Sequence, residues 1–123
     1  SPGEIPYEPA SVFPAEVKFI EAAESAGTAV AGSEVFKGRI VSGDQFIADV
    51  SRVRELHERF NGMCTEMEGA AVAQVCYKNA IPFVIIRSMS DRADGSAHEN
   101  FAEFTKLAAA QSYQIVRTML RQF

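Results

Sequence analysis

The stretch Ile81-Pro82-Phe83-Val84-Ile85-Ile86-Arg87 (IPFVIIR) decides how the remainder of the chain is read. Its apolar residues follow one another without alternating, the pattern of a central strand buried on both faces. Pro82 is acceptable where such a strand begins. Before it, a helix is expected from about Met67 to Lys78, and a short strand over Met63 to Thr65. Ser51 to Phe60 sets Val53, Leu56 and Phe60 at helical spacing among charges, a surface helix broken by Asn61-Gly62. Val35 to Val41 predicts a strand weakened by Gly38 and ended by the turn residues Ser42-Gly43-Asp44. Thr28 to Val30 predicts a shorter strand. Ala15 to Ala26 predicts a helix with Pro14 in its first turn and Gly27 at its stop. After Arg87, a polar loop from Ser88 to Glu99 leads to a last helix. Asn100 is its expected N-cap, Glu103 follows three residues on, and Phe104, Leu107, Ala108, Ile115 and Met119 form its buried face.

Strand and helix in alternation predict an α/β fold with a mostly parallel central sheet, the core of a three-layer α/β/α domain. Only three or four strands can be read, and a parallel sheet that small leaves an exposed edge. The expectation is that residues 14–123 form the C-terminal portion of a larger α/β domain whose N-terminal half is absent. Residues 1–13 hold three of the five prolines and are expected to be an extended segment.

Composition narrows the function. A chain of 123 residues is one domain in size and buries about two thirds of its unfolded surface. The net charge of −4, with no basic stripe, argues against a nucleic-acid partner. No apolar run approaches the roughly 20 residues that cross a bilayer, so no membrane role is expected. Cys64 and Cys76 are too few for a disulfide framework and lack metal-ligand spacing. Both are read as reduced, with no metal and a cytoplasmic setting.

In an open α/β sheet, ligands bind beyond the carboxyl ends of the strands. Three such ends can be read: Ser42 to Ile47, Glu66 to Glu68, and Ser88 to Asp91. Together they bring an aromatic residue, two carboxylates and a Ser-Asp pair to one rim. Each has a plain reading. Thr65-x-x-Glu68 matches a capping box, Ser90-Asp91 an ordinary turn, and Phe46 and Met67 the core. His57 reads as a surface residue, and His98 has no evident partner. On a helix, Glu66 and Glu68 would point roughly 200° apart. On an extended chain they would face one side. A shared ligand therefore requires the helix to begin at Met67 or later.

Taken jointly, Ser42-Gly43-Asp44-Gln45-Phe46-Ile47, Glu66-Met67-Glu68-Gly69-Ala70 and Arg87-Ser88-Met89-Ser90-Asp91-Arg92-Ala93-Asp94 resemble the 5′-methylthioadenosine/S-adenosylhomocysteine nucleosidases of the nucleoside phosphorylase superfamily. The resemblance covers essentially the whole chain, including the Phe101-x-x-Phe104 opening of the last helix. It implies cofactor-free hydrolysis of the N-glycosidic bond between adenine and a 5′-thio-substituted ribose. Asp91, steadied by Ser90, would protonate adenine N7. Phe46 would stack on the base while the backbone of Ile47 reads its edge. Glu68 would bind the ribose hydroxyls and favour an oxocarbenium ion. Met67 would pack under the sugar, Arg87 and Glu66 would set the electrostatics around the water, and Phe101 would help close the alkylthio pocket. The resemblance also implies a homodimer, and it places the water-activating glutamate in the half this chain lacks, so a separate N-terminal segment is a possible partner. Purine nucleoside phosphorolysis, aminofutalosine-type substrates, a non-catalytic nucleoside-binding or dimerisation fragment, and an unrelated flavodoxin-like domain are the alternatives.

Overall fold

Two parallel strands joined through a helix form the frame on which the other elements are hung. The computed structural model describes residues 2–30, 34–89 and 101–123. In chain order the elements are α1 (Val17–Ala29), β1 (Arg39–Ser42), α2 (Val50–Phe60), β2 (Gly62–Glu66), α3 (Gly69–Lys78) and α4 (Phe101–Leu120). Among the described residues the sheet is β1 beside β2, parallel, with α2 as the crossover. The α/β class and the parallel pairing agree with the sequence reading.

The register carries one irregularity. Arg39 pairs with Gly62, but Ile40 then pairs with Cys64, Val41 with Thr65 and Ser42 with Glu66. Met63 is the extra residue, a bulge of the kind that shifts every later side chain by one place. Without it, Ser42 would lie opposite Thr65.

Local chemistry accounts for the helix ends. Asp49 caps α2 by accepting the Ser51 N–H at 2.9 Å. The Ser51 hydroxyl, then its N–H, hold the Asp49 carboxyl below its ordinary value. Asn61, at φ 53°, takes the left-handed conformation that closes the helix. Leu56 is buried, while Glu55 meets Arg52 at 2.7 Å and Arg59 at 3.4 Å on the exposed face.

The principal core lies elsewhere. Ala22 and Ala26 of α1 pack against Met119 of α4, with Phe19, Ile115, Val84 and Ile86 around them. The small alanines let the two helices approach closely, and Val84 and Ile86, two residues apart, present one side of an extended chain to them.

Several expected elements differ. Residues 81–87 form no ladder, and rather than being enclosed on both faces they are half-buried only at 83–86, with Ile81, Pro82 and Arg87 exposed. Two of their backbone groups are taken by other partners. The Ile81 N–H donates to the Cys76 carbonyl at 2.9 Å, and the Phe83 carbonyl accepts from the Glu16 N–H at 2.8 Å. The strand expected at 28–30 is instead the end of α1, which passes through Gly27 to Ala29. β1 begins later than expected, and Ser42 is its last residue rather than part of a turn. Leu107 is exposed rather than part of the buried face. The expected N-cap Asn100 lies outside the described residues.

Gly27 persists inside a helix because a Cβ there would stand 2.5 Å from Val35 Cγ2. Overpacking of this kind costs about 1–3 kcal/mol, against a helix-propensity gain of about 1 kcal/mol for alanine over glycine. Gly27→Ala is therefore expected to lower stability by roughly 1 kcal/mol with Val35 present. In a Val35→Ala background it is expected to raise stability, a change of sign that denaturant titration of the four proteins would record.

Candidate functional site

Glu66 closes β2 directly opposite Ser42, the last residue of β1. Facing residues on adjacent strands lie about 4.8 Å apart, close enough for the serine hydroxyl to donate to the carboxylate. The same hydroxyl oxygen accepts the Ala70 N–H at 2.8 Å. The carboxylate, whose side chain is only 4% exposed, also accepts the Gly69 N–H at 2.8 Å and the Glu68 N–H at 3.1 Å. These N–H groups open α3 and have no partner within the helix.

This corrects the capping box expected from Thr65 and Glu68. Glu68 occupies the N-cap position at φ −127° and ψ −23°, yet its side chain makes no capping hydrogen bond. Glu66, fixed by the strand, reaches the free N–H groups first. The Glu68 side chain is thus left 65% exposed. Because α3 begins at Gly69, the two carboxylates do not splay. Arg87 Nε lies 3.7 Å from Glu66, and its terminal nitrogen lies 3.8 Å from Glu68.

Phe46, Ile47, Glu66, Met67, Glu68 and Arg87 line one cleft of about 530 Å³, a volume within the usual range for small-molecule sites. Val41, Cys64 and Leu56 contribute apolar lining, and Ser88 and Met89 stand at its margin. Phe46 is 61% exposed, so its ring is accessible to a ligand in the cleft. Ser90, Asp91 and His98 lie outside the described residues. Phe101 is the first residue of α4.

Two cleft residues, and Ser42 beside them, were not foreseen. His57 lines it, but Nδ1 is 2.9 Å from the Gly62 carbonyl, so it must carry the proton and pins the α2–β2 junction. Cys64 borders Glu66; burial, then the Glu66 charge, push its thiol up, with Arg87 partly offsetting them. Ser42 was readable only as a turn residue, since the bulge that sets it opposite Glu66 leaves no mark in the sequence. Among the described residues, no cluster of His, Cys, Asp or Glu is placed to hold a metal ion.

Burial alone would raise the Glu66 pKa. The Ser42 hydroxyl, the Glu68 and Gly69 N–H groups and the Arg87 charge outweigh it and hold the carboxyl below its usual 4.5. A depressed carboxylate pKa contributes stability that is fully present above the unfolded value and lost as pH falls through the folded one. Glu66→Gln is expected to cost about 1–3 kcal/mol at neutral pH. It should also flatten the stability-versus-pH curve below about pH 4.5, measured by chemical denaturation. Gly69→Ala should destabilise by about 1–3 kcal/mol, because its Cβ would sit 2.7 Å from Glu66 Oε1.

Residues 1–121 match the family model described as the phosphorylase superfamily. The Bacillus subtilis 5′-methylthioadenosine/S-adenosylhomocysteine nucleosidase is 40% identical over 121 residues, an alignment covering 98% of this chain and 52% of that protein. The Neisseria meningitidis nucleosidase in complex with methylthio-immucillin-A superposes with a TM-score of 0.85 at 40% identity, covering 98% of this chain and 52% of that one. The Helicobacter pylori futalosine hydrolase superposes with a TM-score of 0.85 at 31% identity, covering 98% and 51%. The chain spans about half the length of the curated relatives it matches. By fold and by sequence along nearly its whole length, it belongs to the phosphorylase superfamily.

Proposed function

We propose that this chain is the C-terminal portion, residues 14–123 with the extended segment 1–13, of a nucleosidase. The enzyme would hydrolyse the N-glycosidic bond of 5′-methylthioadenosine and S-adenosylhomocysteine. The observation that carries the reading is one cleft lined by both an exposed Phe46 ring and the Glu66–Arg87–Glu68 cluster. An aromatic face and a carboxylate able to accept from vicinal hydroxyls are what a purine riboside presents a need for. The names of the similar proteins support the same chemistry.

In this reading Phe46 stacks on adenine and the Ile47 backbone reads its edge. Met67 packs under the sugar. Glu68 accepts from the ribose hydroxyls, and its charge favours the oxocarbenium ion that forms as the C1′–N9 bond breaks. The bonding electrons leave with the purine, and Asp91, held by Ser90, delivers a proton to N7. Water then adds its oxygen to C1′ and surrenders a proton to a base outside the residues matched here. Arg87 and Glu66 shape the field around that water, and Phe101 borders the 5′-thio substituent. The active form is a cytoplasmic homodimer, with the N-terminal half of the domain supplied by further chain or a separate segment.

A second reading, purine nucleoside phosphorolysis, is favoured by Arg87, a partly exposed cation at the cleft. Adenine release from 5′-methylthioadenosine by the intact protein should be independent of phosphate. A strict phosphate requirement would select the second reading. Asp91→Asn should lower kcat by about 10²–10⁴-fold with a smaller change in binding. Glu68→Gln should lower kcat by about 10²-fold or more. Equal, small losses in kcat and affinity would point to a nucleoside-binding module.

A further inference from the structure

The carboxylate that abuts the proposed ribose site is itself gripped from the neighbouring strand, and the grip goes beyond what local folding needs. An ordinary serine or aspartate at position 68 would suffice to start α3. Here the cap comes from Glu66, and Glu66 is in turn held by Ser42, across the sheet. The Ser42 hydroxyl donates to the Glu66 carboxylate and accepts the Ala70 N–H at 2.8 Å. One side chain thus joins the end of β1 to the first turn of α3. A further backbone tie, from the Gly43 N–H to the Glu66 carbonyl at 3.1 Å, reinforces the link.

Resting on the nucleosidase reading, we propose that Ser42 is a positioning residue for the reaction. Acting through Glu66, it fixes the turn from Glu66 to Ala70 and so sets where the Glu68 carboxylate and the Arg87 guanidinium stand. Glu68 makes no capping bond of its own, so nothing else in its own turn fixes its direction. With the Ser42 hydroxyl removed, the Glu66 carboxylate keeps two N–H partners and the Arg87 charge but loses its side-chain link to β1, the backbone ties remain, and the turn gains freedom. The charged groups facing Glu66 are Arg87, on the 81–89 segment, and Glu68, at the start of α3. The Cys64 thiol, on β2, is the other titratable neighbour. Because an oxocarbenium partner must be aligned in the transition state, misplacement should fall on kcat rather than on base binding.

The test compares wild type, Ser42→Ala and Ser42→Thr in the intact protein. Four readouts are needed: kcat and KM for 5′-methylthioadenosine, the Kd of adenine, the Glu66 titration by carboxyl NMR, and hydrogen exchange at the Glu68, Gly69 and Ala70 amides. Ser42→Ala is expected to raise the Glu66 midpoint, speed exchange at those amides and lower kcat by about tenfold to 10²-fold. Adenine affinity should stay within about twofold, since the base meets Phe46 and not this turn. Ser42→Thr keeps a hydroxyl on the strand and should restore all of these. An unmoved Glu66 midpoint, an unchanged kcat, or an equal fall in kcat and adenine affinity would each overturn the proposal. If wild type releases no adenine, the nucleosidase reading fails, and the positioning claim is then decided by titration and exchange alone, where unmoved values overturn it.

Discussion

A nearly buried carboxylate must be compensated, and most of the local architecture follows from how Glu66 meets that demand. Charge removed from water costs several kcal/mol unless hydrogen bonds and an opposite charge return it. Here the return comes from three directions: a hydroxyl on the adjacent strand, two N–H groups at a helix start, and a guanidinium from the 81–89 segment. Each donor belongs to a different element. The carboxylate therefore acts as a joint between β1, β2, α3 and the chain that follows α3, and it sits where those elements border the cleft.

That arrangement divides labour between two glutamates one residue apart. Glu66 is turned inward, fully engaged and anionic. Glu68 is turned toward the cleft and left with capacity to accept hydrogen bonds. The same division explains the glycine at position 69. Its missing side chain lets Glu66 lie against the helix start, so backbone and carboxylate share the space a Cβ would fill. Arg87 then serves both carboxylates loosely, at ion-pair rather than hydrogen-bond distance, which keeps its planar fork partly available.

Much of this was legible in the letters, and what was not has physical causes. The surface helix at Val50–Phe60 declared itself through apolar spacing, and its end through Asn61. The helix ending at Lys78 and the short strand at Gly62–Glu66 were likewise placed to within a few residues. The gathering of Phe46 and the two glutamates followed from assuming parallel strands, and Arg87 from the family resemblance. Propensity misled at Gly27, because a tertiary approach by Val35 rewards the glycine inside the helix rather than at its end. Residues 81–87 have the composition of an enclosed strand, but a ladder requires a neighbour in register, and two of their backbone groups bond elsewhere. The capping assignment failed for a subtler reason. The motif pairs Thr65 with Glu68, whereas Glu66, held from across the sheet by Ser42, takes the Glu68 and Gly69 N–H groups itself.

The irregularity at Met63 has a consequence for how this surface tolerates change. Side chains beyond a bulge keep their identities but exchange their companions, so the partnership of Ser42 with Glu66 is a matter of counting as much as of chemistry. Were Met63 drawn into the ladder and the bulge lost, every letter of the motif would survive while threonine, a neutral neighbour, took the glutamate's seat beside the serine. Two relatives could thus share the full string of residues and differ by a single slipped place in the alignment of their strands. For this protein, a change that straightens the strand at Met63 with its length unchanged would rewrite the site more thoroughly than most substitutions within it.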